Sequence, residues 1–277
     1  MEVALSETPA TRNLPALVEM LLVERGEMPE VPEGVDEQWR LFRALVNVRP
    51  PIPASDEFLR MQDELLSGII ESRGTTSPDG TEAVGDDGRI RLWRGDITTL
   101  ATDVIVNAAN SQMLGCFVPG HHCIDNAIHT FAGVQLRLEC QRLMEAQGFP
   151  EPTGMAKVTE AYNLPSKRII HTVGPIVEGE ATPQARALLS NCYTACLNAA
   201  ADLGCETIAF CCISTGVFGF PKEAAAGIAI NAVKNWLSEE ESDMIVIFNV
   251  FSPTDEALYA TGLALGGRDF YCSASNC

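Results

Sequence analysis

The segment Gly115-Cys116-Phe117-Val118-Pro119-Gly120-His121-His122-Cys123-Ile124-Asp125-Asn126-Ala127-Ile128-His129 concentrates residue types that bind metals. Two thiols flank two imidazoles within one short loop bearing Pro119 and Gly120. Two soft sulfur donors and one ring nitrogen suit tetrahedral Zn2+. Cys116, Cys123 and either His121 or His122 make three protein ligands and leave one coordination position open. A purely structural zinc usually has four protein ligands, so an open position points to substrate binding or catalysis. The chain has only four histidines, three of them between positions 121 and 129, which sets this clump apart from the ten scattered cysteines.

Asp125 and His129 are four residues apart at the start of the helix expected after this loop, so they share a face. The helix dipole favours a carboxylate at Asp125 and is expected to keep it ionised. There the residue could orient a water or stabilise positive charge at a reacting carbon. Three further segments end strands or open helices, where ligands of open α/β sheets gather. Gly95-Asp96-Ile97-Thr98 offers close backbone approach and a carboxylate that could accept from an exocyclic amine. Asn107-Ala108-Ala109-Asn110 could present two amides to sugar hydroxyls past small alanines. Ser214-Thr215-Gly216-Val217-Phe218-Gly219-Phe220-Pro221 leads into a helix, and its backbone N–H groups with the helix dipole suit a diphosphate without any lysine or arginine. It has neither P-loop order nor the G-x-G-x-x-G of dinucleotide folds.

The elements that must position these residues follow from periodicity. Leu14 to Leu22, Trp39 to Val46 and Phe58 to Ile69 carry apolar residues at helical spacing, and Pro50, Pro51 and Pro53 separate the second helix from the third. Residues 1–73 read as a helical region and 74–88, rich in Gly, Ser, Thr, Asp and Pro, as a loop or linker. From 89 to 277 short β-type runs alternate with helices, the α/β pattern. The strands expected are Ile90–Trp93, Val104–Asn107, Lys157–Ala161, Ile169–Val173, Thr207–Ile213 and Met244–Val250. Helices are expected over Asp125–Met144, Pro183–Leu203, Lys222–Leu237 and Asp255–Leu265.

Composition sets the remaining bounds. A chain of 277 residues with 46% hydrophobic content can bury a large core. The net charge of −18 argues against nucleic acid as a partner, since no basic stripe is present to release counterions. No apolar run reaches membrane-spanning length and no targeting segment is evident at the start, so a cytoplasmic protein with mostly reduced thiols is expected.

Together, Gly95-Asp96-Ile97-Thr98, Asp103-Val104-Ile105-Val106-Asn107-Ala108-Ala109-Asn110, Ala127-Ile128-His129 with Ala132-Gly133, and Ser214-Thr215-Gly216-Val217-Phe218-Gly219 resemble the macrodomain family in order and spacing. Cys116 to Cys123 stand where many hydrolytic relatives have a glycine run, and this resembles the zinc-containing, protein ADP-ribosyl hydrolase subclass, as do Glu37-Gln38-Trp39-Arg40 and Asn47-Val48-Arg49-Pro50-Pro51. The resemblance implies a three-layer α/β/α sandwich with a mixed central sheet behind an N-terminal helical region. It implies Zn2+ held by Cys116, His121 and Cys123, and Asp125 and Asn126 as catalytic residues, Asp125 matching the catalytic aspartate. ADP-ribose would meet Asp96 and Ile97 at adenine, Asn110 at the distal ribose, and Ser214, Thr215, Gly216, Val217 and Phe218 at the diphosphate. Phe251 matches an adenine-flanking aromatic, with a core role as the alternative. The activity implied is removal of mono-ADP-ribose from a modified protein side chain, most plausibly an acidic one. A non-catalytic ADP-ribose reader and an O-acetyl-ADP-ribose deacetylase are the alternatives, and a functionally linked ADP-ribosyltransferase is an implied partner.

Overall fold

The structure, a computed structural model, describes residue 5, residues 7–85 and residues 88–265. Residues 266–277, the end of the segment read as the main unit, lie outside the described residues. The chain opens with helices α1 (Leu14–Glu24), α2 (Val35–Val48) and α3 (Asp56–Arg73). Their apolar stripes are the buried ones: Leu14, Leu17 and Leu65 have no exposed surface. Ser55 starts α3 by accepting the Phe58 N–H at 3.1 Å, the cap a helix after a proline-rich break needs. Between Gly74 and Gly85 the chain makes a 3-10 turn at Pro78–Gly80 and a two-residue strand, β1 (Glu82–Ala83).

The other strands are β2 (Ile90–Arg94), β3 (Val104–Ala109), β4 (Ala156–Glu160), β5 (Arg168–Val173), β6 (Thr207–Phe210) and β7 (Ile245–Val250). They form one sheet in the order β1-β2-β7-β6-β3-β5-β4. The five central strands pair in parallel, while β1 and β4 pair antiparallel at the two edges, so the sheet is mixed. Val104, Ile105, Val106, Val246 and Ile247 have no exposed surface, as strands covered on both faces require. Helices α6 (Pro183–Asp202), α7 (Lys222–Glu239) and α8 (Pro253–Ala264) pack side by side, α6 against β5 and α8 against β2. Helices α4 (Ile124–Ala132) and α5 (Val134–Gln147) pack against β3 and β4, with α2 against α4. One continuous apolar core runs from Leu17 and Phe42 through Val106 to Phe210 and Phe248.

The single helix expected over Asp125–Met144 is two helices. Gly133 stands between α4 and α5 at φ 102°, a conformation side chains rarely adopt, and a Cβ there would fall 2.6 Å from Gln62 Nε2. Gln62 Oε1 in turn accepts the Val134 N–H at 3.0 Å, so α3 dictates the break. Strand β6 ends at Phe210 rather than Ile213, and residues 211–221 form the loop before α7. Because β2, β7, β6 and β3 run the same way, their C-terminal ends share one edge of the sheet, where Asp96, Phe251, Ser214 and Asn110 follow them.

Candidate functional site

Strand β3 carries the chain from the core to this edge. Asn107, at the last fully buried polar position, is followed by Asn110, whose Oδ1 accepts the Gln112 N–H at 3.0 Å and whose Nδ2 donates to the Gly115 carbonyl at 3.1 Å. Asn110 thereby pins the entry of the Cys116–Cys123 loop. Gly115 lies flat on the His129 ring, and a Cβ there would meet ring atoms at 2.8 Å, so only glycine lets the loop start where it does. At the far end Cys123 caps α4: its Sγ accepts the Asn126 N–H at 3.4 Å.

Cys116 Sγ and His121 Nδ1 are 3.4 Å apart, and these atoms with Cys123 Sγ all lie within 4.8 Å of one another. Tetrahedral zinc with its usual sulfur and nitrogen bond lengths would hold S and N about 3.6 Å apart, so the donor set fits that ion. The grouping contains His121 and not His122. The charge balance points the same way: burial, then the neighbouring Cys116 and Asp125, raise the Cys123 thiol, although the Asn126 N–H opposes the shift. A cation among the three donors would relieve this penalty on the thiolates.

Side chains from the N-terminal helices clamp the loop from behind. Arg43 on α2 donates to Asn126 Oδ1 at 2.9 Å and to the His121 carbonyl at 3.3 Å. One turn later Asn47 accepts the Gly120 N–H at 3.0 Å and donates to Thr130 Oγ1 at 3.1 Å. Asn126 completes the clamp by donating to the Val118 carbonyl at 3.2 Å. Its amide is thus engaged on both atoms and wholly buried. Arg137 on α5 holds the Leu114 carbonyl at 2.7 Å and stacks over Phe117, 4.3 Å from the ring centroid. Sequence reasoning missed Arg43 and Arg137, because nothing in their local pattern differs from an ordinary helix, and it singled out Asn47 only within the Asn47-Val48-Arg49-Pro50-Pro51 resemblance, without a role.

Asp125 follows the cap and is buried to 5% exposure. Asn107 Nδ2 donates to its Oδ1 at 2.8 Å and Asn110 Nδ2 approaches its Oδ2 at 3.4 Å. Burial raises its carboxyl to about 6, against the opposing Asn107 hydrogen bond and Arg137 charge. Desolvation therefore outweighs the helix dipole in setting this pKa, since it acts on the whole charge whereas the helix end offers partial ones, yet a carboxyl near 6 is still mostly ionised at neutral pH, as expected. His129 does share its face, with Nε2 3.6 Å from Asp125 Oδ1, longer than a hydrogen bond.

At the opposite end of the sheet edge, Asp96 accepts from the Thr98 N–H at 3.0 Å and from Thr98 Oγ1 at 2.6 Å, and pairs with Arg73 of α3. Burial pushes this carboxyl up, but the Thr98 and Arg73 contacts overcome it and hold it low. Ile97 is buried beneath. Phe251, just after β7, is 58% exposed, which removes the core alternative.

The loop after β6 turns on Ser214 at φ 65° and Gly219 at φ 69°. Phe218 accepts the Val177 N–H at 2.8 Å, and a Cβ on Gly219 would press to 2.6 Å from the Val177 carbonyl oxygen. Among the described residues the N–H groups of Gly216, Val217 and Phe218 donate to nothing. They form a row of open donors, with Val217 78% exposed at the crest.

An α/β/α sandwich with a mixed seven-stranded sheet, its polar residues gathered on one strand edge, is the setting for the comparisons. Residues 106–229 match the family model of the Macro domain. A protein-ADP-ribose hydrolase of Treponema medium is 53% identical over 247 residues, 88% of this chain and 95% of that protein. A probable bifunctional ADP-ribose hydrolase/ADP-ribosyltransferase of Fusarium oxysporum f. sp. cubense is 43% identical over 79% of this chain and 40% of its own length. Among solved structures, the Trypanosoma brucei macrodomain in complex with ADP-ribose superposes with TM-score 0.59 at 26% identity, covering 93% of this chain and 91% of that one. The chain belongs to the macro domain family.

Proposed function

We propose that this chain is a protein-ADP-ribose hydrolase of the zinc-containing macrodomain subclass, releasing mono-ADP-ribose from modified protein side chains, acidic ones first. The observation that carries the reading is the placement of Asp125 in the first turn of α4, two residues after Cys123, whose Sγ is gathered with donor atoms of Cys116 and His121. The activity named for the Treponema relative supports it.

In this reading the open N–H groups of 216–218 hold the diphosphate, Asp96, Ile97 and Phe251 frame the adenine, and Asn110 meets the distal ribose. Ser214 and Thr215 shape the loop, since the Ser214 carbonyl accepts the Phe220 N–H at 3.0 Å and Thr215 Oγ1 donates to the Cys212 carbonyl at 3.0 Å. Cys116, His121 and Cys123 would hold Zn2+, which when bound supplies a Lewis acid with an open position. Asp125 orients the attacking water and faces the positive charge that develops at the anomeric carbon as the bond to the protein breaks. Asn126, expected from the resemblance to be catalytic, has its amide engaged by Arg43 and Val118 and in this reading keeps the loop in register instead.

Residues 1–73 belong to the same working unit in this proposal, because α2 and α3 supply the side chains behind the metal loop and behind Asp96. Among the described residues no helix is long and apolar enough to cross a membrane. A cytoplasmic setting and a partner ADP-ribosyltransferase complete the proposal, the latter supported by the fused fungal relative. Incubating purified protein with substrates mono-ADP-ribosylated on glutamate, serine or arginine, and with O-acetyl-ADP-ribose, tests it. Release from the glutamate-linked protein is expected. Tight ADP-ribose binding with no release from any substrate would make the chain a reader, and release from the acetylated nucleotide alone a deacetylase.

A further inference from the structure

A row of polar side chains crosses the apolar interior behind Asp125. Asn107 on β3 and His171 on β5 are register partners in the sheet. Asn107 Nδ2 lies 2.8 Å from Asp125 Oδ1 and 3.0 Å from His171 Nδ1, and His171 Nε2 lies 2.9 Å from Thr159 Oγ1 on β4. Asn107 and His171 have no exposed surface, and Thr159 has 2%. Such a row costs desolvation energy, and nothing in the packing of a parallel sheet calls for it.

The hydrogen bonding fixes the chemistry of each member. An amide nitrogen only donates, so His171 Nδ1 must accept; the ring then carries its proton on Nε2 and Thr159 Oγ1 accepts it. Asn107 Oδ1, by contrast, is buried without a partner among the described residues. The amide therefore leaves its own acceptor unsatisfied while giving one N–H to Asp125 and the other to His171. Turned over, it would set its oxygen against the carboxylate. Nothing on the oxygen side holds the amide in place, so the two acceptors on the nitrogen side must. His129, Cys140 and His171 bring donor atoms within 4.8 Å of one another, but both nitrogens of His171 are already committed to Asn107 and Thr159.

We propose that His171 is a positioning residue for the hydrolytic reaction: held by Thr159 as the Nε2–H tautomer, it anchors the Asn107 amide, which aims one N–H at Asp125 and sets the direction of that carboxylate. The proposal rests on the reading of Asp125 as the catalytic carboxylate. His171 itself touches no substrate. Burial alone keeps the ring neutral, with its pKa lowered to about 3.

The test compares Asp125→Ala, His171→Leu, His171→Asn and Thr159→Val in the full chain, with ADP-ribose affinity by calorimetry and steady-state release from a glutamate-linked substrate. Asp125→Ala is expected to lose turnover. His171→Leu is expected to lower kcat by about tenfold to a hundredfold, the scale of a misdirected catalytic group, with KM and ADP-ribose affinity little changed. His171→Asn places an amide oxygen near the Nδ1 position and is expected to restore most of kcat, while Thr159→Val falls between. Ring nitrogen shifts of the wild-type protein are expected to report a neutral Nε2–H imidazole at pH 7.5, a readout that stands even if the leucine variant fails to fold. A folded His171→Leu with wild-type kcat beside an inactive Asp125→Ala overturns the proposal, as does a proton found on Nδ1. Undiminished turnover in Asp125→Ala instead removes the reading of Asp125 on which it rests.

Discussion

Arg43 and Asn126 stand 83 positions apart in the chain, yet the Arg43 Nη2 donates to the Asn126 Oδ1 at 2.9 Å with both residues buried. Through this bond and the one to the His121 carbonyl, a helix far upstream sets the backbone path that brings His121 toward Cys116. Preorganisation of this kind is what ligand-orienting groups supply to a metal site. Arg43→Met keeps the volume and removes the donors, and is expected to weaken zinc binding by about 10–100-fold while leaving all three ligands in place. Competition against a chromophoric chelator measures it; an unchanged dissociation constant refutes the role.

Cys123 caps α4 and, in the proposed site, would also be a metal donor. Cys123→Ser retains a capping oxygen, so α4 is expected to stay folded, but the soft donor is gone and zinc content should fall well below one equivalent together with turnover. Elemental analysis beside the release assay checks this. Full turnover by the metal-free variant would take the metal out of the mechanism.

Phe251 has 58% of its surface exposed beside the C-terminal end of β7, so little folding energy rests on it. Stacking of an aromatic ring on a base is worth about 1–3 kcal/mol, and Phe251→Ala is expected to weaken ADP-ribose by that amount with the melting temperature unchanged. A fall in melting temperature without loss of affinity would show that the ring packs on protein instead.

Gly219 sits at φ 69° with the Val177 carbonyl 2.6 Å from where a Cβ would go. The neighbour is backbone and cannot swing away, so Gly219→Ala must shift the loop that carries the open N–H groups. A loss of about 1–3 kcal/mol in stability is expected from strain, with weaker ADP-ribose binding in the same variant. Thermal unfolding and calorimetry measure the two, and an alanine variant equal to wild type in both would show the loop tolerates the shift.

Burial holds His171 at about 3, and burial, then the charges of His171 and Arg137, push His129 well below its ordinary value. Unfolded, each ring takes up a proton near pH 6.5 while the folded protein does not. The unfolded state therefore binds more protons below that pH, so the stability present above 6.5 declines as the pH falls toward the folded values, by about 1.4 kcal/mol per pH unit for each ring. Urea unfolding between pH 7.5 and 5 is expected to show this decline, partly offset below about pH 6 by Asp125, whose raised carboxyl takes up its proton earlier in the fold than in the unfolded chain, with a slope smaller by one group in His171→Asn. Equal slopes in the two proteins would mean that the ring titrates normally in the fold.

Much of this protein was legible in its sequence, for reasons that are local. A strand such as Val104-Ile105-Val106 announces itself by its apolar run before the amides, a break between helices by Pro50, Pro51 and Pro53, and the candidate metal loop by two thiols and imidazoles close together. Each is a property of a few consecutive residues, and chain stiffness keeps consecutive residues together whatever the rest does. Tertiary structure decided what depended on distant partners. Gly133 breaks a helix that periodicity reads as continuous, because Gln62 from α3 occupies the space a side chain would need. Arg43 and Arg73 reach the Cys116–Cys123 loop and Asp96 across 83 and 23 positions of chain, and no local pattern marks them. Asp125 looked like a carboxylate favoured by a helix start; only its depth in the assembled core, set by the packing of β3, α4 and α2 together, raised its carboxyl to about 6. Desolvation depends on every element that excludes water from a site, and that is a property of the folded whole.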